Sequence, residues 1–90
     1  MKEAVHKVVN KSGLHARPAS KFVQFVRQFR SKIMICKGGK CADAKNILQI
    51  LSLGVDFGDV IEIRVDGIDE DVAFTEIIDF LNNKLPFEDV

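Results

Sequence analysis

The chain has no tryptophan or tyrosine, only two cysteines and two prolines, and no excess of either charge among its 90 residues. No Lys/Arg cluster is interleaved with stacking aromatic side chains, which argues against a nucleic-acid-binding protein. No apolar run approaches the ~18 residues of a membrane span, and no signal-peptide core follows the polar first residues. These absences predict a cytoplasmic protein that does not insert into a membrane.

Length and composition predict a single domain that covers residues 1–90. Apolar residues make up 47% of the chain, and 13 basic residues balance 13 acidic ones. This composition is typical of a soluble globular protein, and a chain of this length buries somewhat more than ~60% of the surface that its unfolded form exposes. We therefore expect one hydrophobic core that needs no metal ion or disulfide.

The most informative stretch is GLHARPA, at residues 13–19. Proline is tolerated in the first turn of a helix, so Pro18 predicts that a helix begins at about Ala16 or Arg17. The unpaired N–H groups of that turn and the positive end of the helix dipole form an anion site beside His15. An imidazole there is suited to accept a phosphoryl group, which Arg17 would stabilise. The alternative is an ordinary helix-start histidine beside a solvated arginine.

The charges are distributed unevenly along the chain. Residues 1–40 carry ten Lys or Arg and one acid, whereas residues 41–90 carry three Lys or Arg and twelve acids. Polar, mostly basic residues recur at helical spacing after His15 and form a stripe on the first helix. We expect this basic stripe to steer an acidic protein partner or an anionic donor towards the histidine, unless it is only a solvated face. The basic stripe comprises Arg17, Lys21, Gln24 and Arg27.

Hydrophobic periodicity predicts the other elements of the first half. Val-rich residues 5–9 predict a strand whose phase stays open, so the orientation of His6 is undecided. The first helix is expected to run to about Arg30, and Phe25 lies off its apolar face. Residues 32–37 alternate as a second strand with Ile33 and Ile35 on one face. The apolar face of the helix comprises Ala19, Phe22, Val23, Val26 and Phe29.

Gly38 and Gly39 predict a tight hairpin between residues 32–37 and 40–42, because glycine adopts the positive φ angles that such turns need. The hairpin would place Cys36 opposite Cys41, where a cross-strand disulfide is sterically conceivable. In a reducing cytoplasm we expect two free thiols instead, and two thiols are too few ligands for a metal site.

Asn46 predicts the N-cap of a short second helix that ends by Leu53, with Gly54 as its left-handed terminator. This helix has too many apolar residues for one face. We expect Ile50 and Leu53 in the core and the others in an exposed apolar patch that binds a protein partner, unless the whole helix is buried. The apolar patch comprises Ile47, Leu48 and Leu51.

The last third of the chain predicts one strand and one helix. Residues 60–65 alternate as a strand, Asp66 and Gly67 turn the chain, and Asp69 caps a last helix that Pro86 terminates. The order β-α-β-β-α-β-α predicts an α+β fold, a four-stranded antiparallel sheet with three helices on one face, or open-faced sandwich. The core stripe of the last helix comprises Phe74, Ile77, Ile78 and Leu81.

Two blocks of this sequence resemble the HPr family, the histidine-containing phosphocarriers of the phosphoenolpyruvate-dependent sugar phosphotransferase system. Residues 13–19 (GLHARPA) resemble the active-site signature of the family, and residues 46–54 (NILQILSLG) resemble its short second helix. The resemblance spans essentially all 90 residues. It implies the HPr-like open-faced β-sandwich, with residues 6 and 8 facing the helices and His6 partly buried and hydrogen-bonded.

The resemblance also implies a stoichiometric phosphoryl carrier rather than an enzyme. His15 would accept a phosphoryl group on Nδ1 from the phosphorylated histidine of enzyme I and pass it to A-components of sugar permeases. Arg17, Ser12 and the amides of Ala16 and Arg17 would bind the phosphate. No metal or organic cofactor is implied, and we expect a monomer. The partner-binding residues would be Ser20, Lys21, Gln24, Arg27, Ile47, Leu48 and Leu51.

The chain departs from the family pattern at Asn46. In HPr of many Gram-positive bacteria this position is a serine that an ATP-dependent kinase phosphorylates, and an asparagine has no hydroxyl to accept phosphate. Two alternative functions stay open: a regulatory HPr-like module of a nitrogen-related or signalling branch that binds regulatory proteins, and a nucleic-acid binder that uses the basic first half. Retention of His15 counts against regulatory paralogues that lack it, and a steep salt dependence would identify binding to nucleic acid.

Overall fold

The computed structural model describes residues 1–89, which contain four strands, four α-helices and one π-helical segment. The strands are β1 (Lys2–Lys7), β2 (Lys32–Lys37), β3 (Lys40–Asp43) and β4 (Val60–Asp66). The helices are α1 (Ala16–Val26), α2 (Ile47–Leu53), α3 (Glu70–Asp79) and the short α4 (Leu85–Glu88), and a π-helical segment over Phe80–Lys84 joins α3 to α4. No helix within residues 1–89 is long and apolar enough to cross a bilayer.

The strands form one antiparallel sheet in the order β1-β4-β2-β3. In β4, Ile61, Ile63 and Val65 are buried whereas Val60 and Glu62 are exposed. Because successive side chains of a strand point to opposite faces, one face of the sheet carries the core and the helices cover it. The predicted open-faced sandwich is confirmed.

The burial of His6 and Val8 shows which side chains of the first strand region face the helices. His6 and Val8 are both buried, so they face the helices, as the resemblance implies. No side chain within residues 1–89 hydrogen-bonds to the His6 ring, and the implied hydrogen bond stays a prediction. Burial lowers the pKa of His6, because the charged ring would lose its hydration.

α1 buries the predicted apolar face but ends earlier than predicted. The helix stops at Val26 instead of about Arg30. The N–H groups of Gln28 and Phe29 donate to carbonyl oxygens three residues back, not four, so the last turn tightens and the α-helix ends. The five predicted apolar residues are nevertheless all buried.

The hairpin between β2 and β3 has the predicted register, but its cysteines are not free. Gly38 and Gly39 have φ angles of 56° and 81°, and Cys36 pairs directly with Cys41. These cysteines form a disulfide, so the expectation of two free thiols is wrong. Directly opposite residues of an antiparallel pair are close enough for a cross-strand disulfide, which the hairpin register alone had made possible.

α2 begins and ends as predicted. The Asn46 side chain accepts a hydrogen bond from the backbone N–H of Gln49 at 3.2 Å, and Gly54 ends the helix with a φ of 69°. Ile50 and Leu53 are buried in the core, as expected from the sequence. The cap therefore works without a hydroxyl at residue 46.

The C-terminal helical region differs from the prediction at both ends. Asp69 is the N-cap residue of α3, but its carboxylate does not cap the helix. It accepts hydrogen bonds from the backbone N–H groups of Arg30 and Ser31 and from the Ser31 hydroxyl, and so ties α3 to the entrance of β2. Pro86 does not end the helical path either, because it lies in the first turn of α4, where its missing N–H is tolerated.

The predicted core stripe of the last helix is confirmed, although two of its members are less buried than the others. Ile77 and Leu81 are buried, and Phe74 and Ile78 are partly buried against the core. The π-helical segment adds Phe80, which stacks on Phe25 of α1 with ring centroids 4.3 Å apart. This stacking explains the position of Phe25, which the helical periodicity had left undecided.

Candidate functional site

The loop that precedes α1 is fastened to the core. The buried Asn10 side chain donates from Nδ2 to the carbonyl oxygen of Gly13 at 2.7 Å, and Gly13 N–H donates back to the Asn10 carbonyl at 3.2 Å. Leu14 is buried, and its N–H donates to the carbonyl oxygen of Val55 at 2.9 Å. The loop therefore delivers the next residue, His15, to a fixed position at the start of α1.

His15 is the N-cap residue of α1, so the helix starts where Pro18 predicted. The backbone of His15 is extended, with φ −120° and ψ 156°. Ala16, the first helical residue, has a φ of 50° and is the one non-glycine residue with positive φ within residues 1–89. This conformation costs about 1–3 kcal/mol and is typical of functional sites. The first N–H groups of α1 have no intrahelical partner and are available to an anion.

The His15 imidazole contacts a carboxylate that the sequence analysis missed. Its Nε2 lies 2.7 Å from Oδ1 of Asp56, and the two side chains are 41% and 69% exposed. A carboxylate is only an acceptor, so the neutral imidazole carries its proton on Nε2 and keeps a lone pair on Nδ1. Asp56 lies outside both resemblance blocks, and only its place just after α2 could have drawn attention to it.

The turn that carries Asp56 is held from the side of the sheet. Asp59 accepts a hydrogen bond from the backbone N–H of Asp56 at 2.8 Å. Lys37 Nζ lies 2.8 Å from the Asp59 carboxylate and 2.6 Å from the carbonyl oxygen of Gly54. The hydrogen bond from Lys37 is the main reason that the pKa of Asp59 lies below its ordinary value. Contacts with β2 thus fix the turn that carries Asp56, just as contacts with the core fix the loop that precedes α1.

A cavity of about 200 Å³ lies beside the start of α1 and brings the predicted phosphate-binding residues together. Ser12, Ala16 and Arg17 all line this cavity, whereas His15 precedes it in the chain and is not part of its wall. Within residues 1–89, Arg17 makes no ion pair, so its guanidinium is available to an anion. The remaining lining residues are Pro18, Lys21, Leu85, Glu88 and Asp89.

Two carboxylates of the C-terminal segment lie at the rim of that cavity. Asp89 accepts hydrogen bonds from the N–H and hydroxyl of Ser12, at 2.6 and 2.9 Å, and from Asn10 Nδ2 at 3.0 Å. Burial raises the pKa of Asp89, but these hydrogen bonds outweigh it and hold the pKa below its ordinary value. Glu88 lies 3.8 Å from Lys21 Nζ. The Ser12 hydroxyl therefore has to leave Asp89 before it can donate to a phosphate.

The predicted basic stripe is present, and part of it is engaged within the protein. Arg27 donates from Nε and Nη2 to the carbonyl oxygen of Lys45, at 3.1 and 3.0 Å, and so ties α1 to the entrance of α2. Gln24 donates to the Ser20 hydroxyl at 3.4 Å. The stripe therefore ends beside α2, where Ser20, Gln24, Arg27 and Ile47 line one shallow cavity of about 120 Å³.

The predicted apolar patch on α2 is exposed at two of its three positions. Leu48 and Leu51 are 72% and 38% exposed, whereas Ile47 packs partly against the core. The structure adds Phe57, an exposed aromatic residue that directly follows Asp56 and that the sequence analysis did not single out. Leu48, Leu51 and Phe57 are thus exposed apolar side chains on α2 and in the turn that carries Asp56.

Comparison with known proteins gives a consistent result. Residues 2–83 match the PTS-HPr family model, described as the PTS HPr component phosphorylation site. The phosphocarrier protein HPr of Neisseria meningitidis serogroup A is 37% identical over 75 residues, which cover 83% of this chain and 84% of that protein. The HPr-like protein Crh of Halalkalibacterium halodurans is 40% identical over 74 residues, which cover 82% of this chain and 88% of that protein.

Solved structures agree with the sequence matches. A crystal structure of HPr from Thermoanaerobacter tengcongensis superposes with a TM-score of 0.91 at 42% identity, covering 94% of this chain and 96% of that one. An HPr dimer from the same organism superposes with a TM-score of 0.74 at 42% identity, covering 94% of this chain and 98% of that one.

Proposed function

This chain belongs to the HPr family of the phosphotransferase system, and from that premise we propose that His15 carries a phosphoryl group from one partner protein to another. The observation that carries the proposal is the contact of His15 Nε2 with Asp56 at the start of α1. This contact leaves the Nδ1 lone pair free to attack phosphorus. The protein is a stoichiometric carrier that is consumed and regenerated in each cycle, and it needs no metal or organic cofactor.

The transfer uses groups that the site already presents. The Nδ1 lone pair of His15 forms a bond to phosphorus as the N–P bond of a phosphohistidine donor breaks, and the electron pair of that bond returns to the donor nitrogen. Arg17 and the unpaired N–H groups of α1 stabilise the negative oxygens during transfer. Family resemblance supplies the partners: enzyme I, charged by phosphoenolpyruvate, as donor, and A-components of sugar permeases as acceptors.

The surface around His15 supports docking of protein partners. The basic stripe leads to α2, and the exposed Leu48 and Leu51 offer apolar side chains for the centre of an interface. Basic residues of the first half pair with acids of the second half, as Lys37 does with Asp59 and Lys21 with Glu88. These pairs balance part of the basic charge of the first half, and the exposed apolar side chains of α2 favour protein partners. We propose that the carrier acts as a cytoplasmic monomer.

The test is a relay assay with purified enzyme I, phosphoenolpyruvate and an A-component. We expect one acid-labile, base-stable phosphoryl group per chain, which disappears when the A-component is added. His15→Ala should take up none, and Arg17→Ala should be phosphorylated roughly tenfold to a hundredfold more slowly. An unphosphorylated chain that still binds regulatory proteins would refute the carrier function and identify the regulatory alternative.

A further inference from the structure

We infer that Asp56 is the positioning residue of His15: its carboxylate holds the imidazole at Nε2, directs the phosphoryl group to Nδ1 and balances the charge that the ring gains. This inference rests on the proposed function of His15 as the phosphoryl acceptor. Asp56 reaches His15 across 41 residues of sequence, with 2.7 Å between Oδ1 and Nε2.

The backbone on both sides makes this contact more than a chance meeting of two exposed side chains. Leu14 N–H donates to the carbonyl oxygen of Val55 at 2.9 Å, and these residues immediately precede His15 and Asp56. One backbone hydrogen bond therefore sets the two functional residues side by side. Because both backbones are fixed, little conformational entropy is lost when the side chains meet.

The same turn carries a second carboxylate, that of Asp59. It accepts from the backbone N–H of Asp56 and lies 2.8 Å from Lys37 Nζ, so its charge is already balanced by a cation. Asp56 has no lysine or arginine within ion-pair distance among residues 1–89, and the imidazole is its charged partner whenever the ring is cationic. In this turn, the Asp59 carboxylate therefore pairs with Lys37 of the sheet and the Asp56 carboxylate pairs with His15.

The carboxylate acts at each stage of the transfer. In the free protein it accepts a hydrogen bond from Nε2–H, so Nδ1 is the nucleophilic nitrogen. The Nδ1 lone pair then forms the bond to phosphorus, the bond to the phosphorylated donor protein breaks, and its electron pair stays with the donor. The ring keeps its Nε2 proton and becomes a cation, which strengthens the hydrogen bond to Asp56. In onward transfer a nucleophile of the acceptor protein forms a bond to phosphorus, the Nδ1–P bond breaks, its electron pair returns to Nδ1 and the ring becomes neutral again.

The test compares Asp56→Asn, which keeps shape and removes charge, with Asp56→Glu, which restores a carboxylate. Asp71→Asn is the matched control, because it removes an exposed acid on α3 that pairs with Lys2 and not with His15. Nitrogen-15 NMR of the neutral, unphosphorylated imidazole should show the proton on Nε2 in the wild type and the control. We expect Asp56→Asn to give a mixture of the two tautomers and Asp56→Glu to recover part of the Nε2–H form.

Kinetics supply a second measurement. Phosphoryl transfer from phosphorylated enzyme I is measured in single turnovers over a range of enzyme I concentrations. In Asp56→Asn the rate at saturation should fall about three- to tenfold, with the half-saturating concentration unchanged. If Asp56 served only to stabilise the fold, an Asp56→Asn variant with the wild-type melting temperature would keep both the wild-type tautomer and the wild-type transfer rate. Asp56→Ser, a residue suited to the same turn, repeats the test should the asparagine variant be unstable.

The outcomes separate the inference from the proposed function. If Asp56→Asn keeps the wild-type tautomer and a rate within twofold of wild type, Asp56 does not position His15, and the carrier function stands. If the wild type takes up no phosphoryl group from enzyme I, the proposed function fails and the inference fails with it, whatever the tautomer.

Discussion

Gly13 lies against the carbonyl oxygen of Val55, so closely that a Cβ atom at residue 13 would come within 2.2 Å of that oxygen. Gly13 also has a φ of 61°, which favours glycine. Gly13→Ala therefore has to separate the loop that carries His15 from the turn that carries Asp56. We predict a loss of at least about 2 kcal/mol in the free energy of unfolding, together with slower phosphorylation by enzyme I.

Gly39→Ala is the control for the Gly13 prediction. Gly39 also has a positive φ, of 81°, but no atom lies within 4 Å of the position of its Cβ. This variant should lose only about 1 kcal/mol from backbone strain and keep the wild-type phosphorylation rate. Urea titrations and phosphorylation time courses of both variants check the difference. Equal effects of the two substitutions would contradict the proposed importance of the Gly13–Val55 approach.

Leu48→Asp should weaken partner binding more than folding. Leu48 is 72% exposed, so an aspartate there removes little buried surface, but it places a desolvated charge in an apolar interface. We expect a tenfold or greater rise in the Kd for enzyme I, about 1.4 kcal/mol or more, and a nearly unchanged melting temperature. Val5→Asp, at a residue 71% exposed on the open face of the sheet, is the matched control and should leave the Kd unchanged.

Burial of His6 predicts a pH dependence of stability. The pKa of His6 is lower in the folded protein than the ordinary value of 6.5, so the unfolded chain binds the proton more readily. The contribution of the neutral His6 to the free energy of unfolding should therefore be fully present above pH 6.5. It should be lost as the pH falls from 6.5 through the pKa of His6 in the folded protein. Asp59 and Asp69 also have lowered pKa values, and their contribution should be lost only as the pH falls below 3.8.

Urea titrations at pH 7.5 and pH 5 measure the contribution of His6. The midpoint should fall between pH 7.5 and pH 5 in the wild type, and His6→Leu should lose the part of this change that protonation of His6 causes. Both carboxylates stay ionised over this interval, so they do not obscure the comparison. A pH dependence that survives unchanged in His6→Leu would show that another group causes it.

The Cys36–Cys41 disulfide should stabilise the edge hairpin. Closure of so short a loop predicts that its reduction costs about 2 kcal/mol in the free energy of unfolding. Urea titrations with and without dithiothreitol measure this cost, and the variant Cys36→Ser/Cys41→Ser should behave like the reduced protein and ignore the reductant. An identical urea midpoint for oxidised and reduced wild type would contradict the prediction.

Local patterns in the sequence predicted most of the fold. The alternation of Ile61, Ile63 and Val65 predicted β4 and its buried face, because a strand side chain has only two faces to choose from. Asn46 and Gly54 predicted both ends of α2, because each acts on backbone groups within a few residues of itself. The helix start at Ala16 followed in the same way from Pro18.

The wrong prediction for Asp69 and the failure to find Asp56 both concern long-range contacts. Asp69 has the sequence of a helix cap, but the carboxylate turns to Arg30 and Ser31, almost 40 residues earlier in the chain. Two other wrong predictions concern local features: α1 ends early because Gln28 and Phe29 donate to carbonyl oxygens three residues back, and the disulfide forms between cysteines five residues apart, at the hairpin register that the sequence predicted. In the site, GLHARPA predicted His15 and Arg17, whereas Asp56 reaches the histidine only through the pairing of Leu14 with Val55. No local pattern indicates that pairing.

NMR of the protein phosphorylated by enzyme I and phosphoenolpyruvate, with nitrogen-15 in its histidine rings, tests the central claim most directly. We predict that the phosphorus couples to Nδ1 of His15 and that Nε2 of the same ring keeps its proton. Phosphorus bonded to Nε2, to His6 or to any side chain other than His15 would contradict the account.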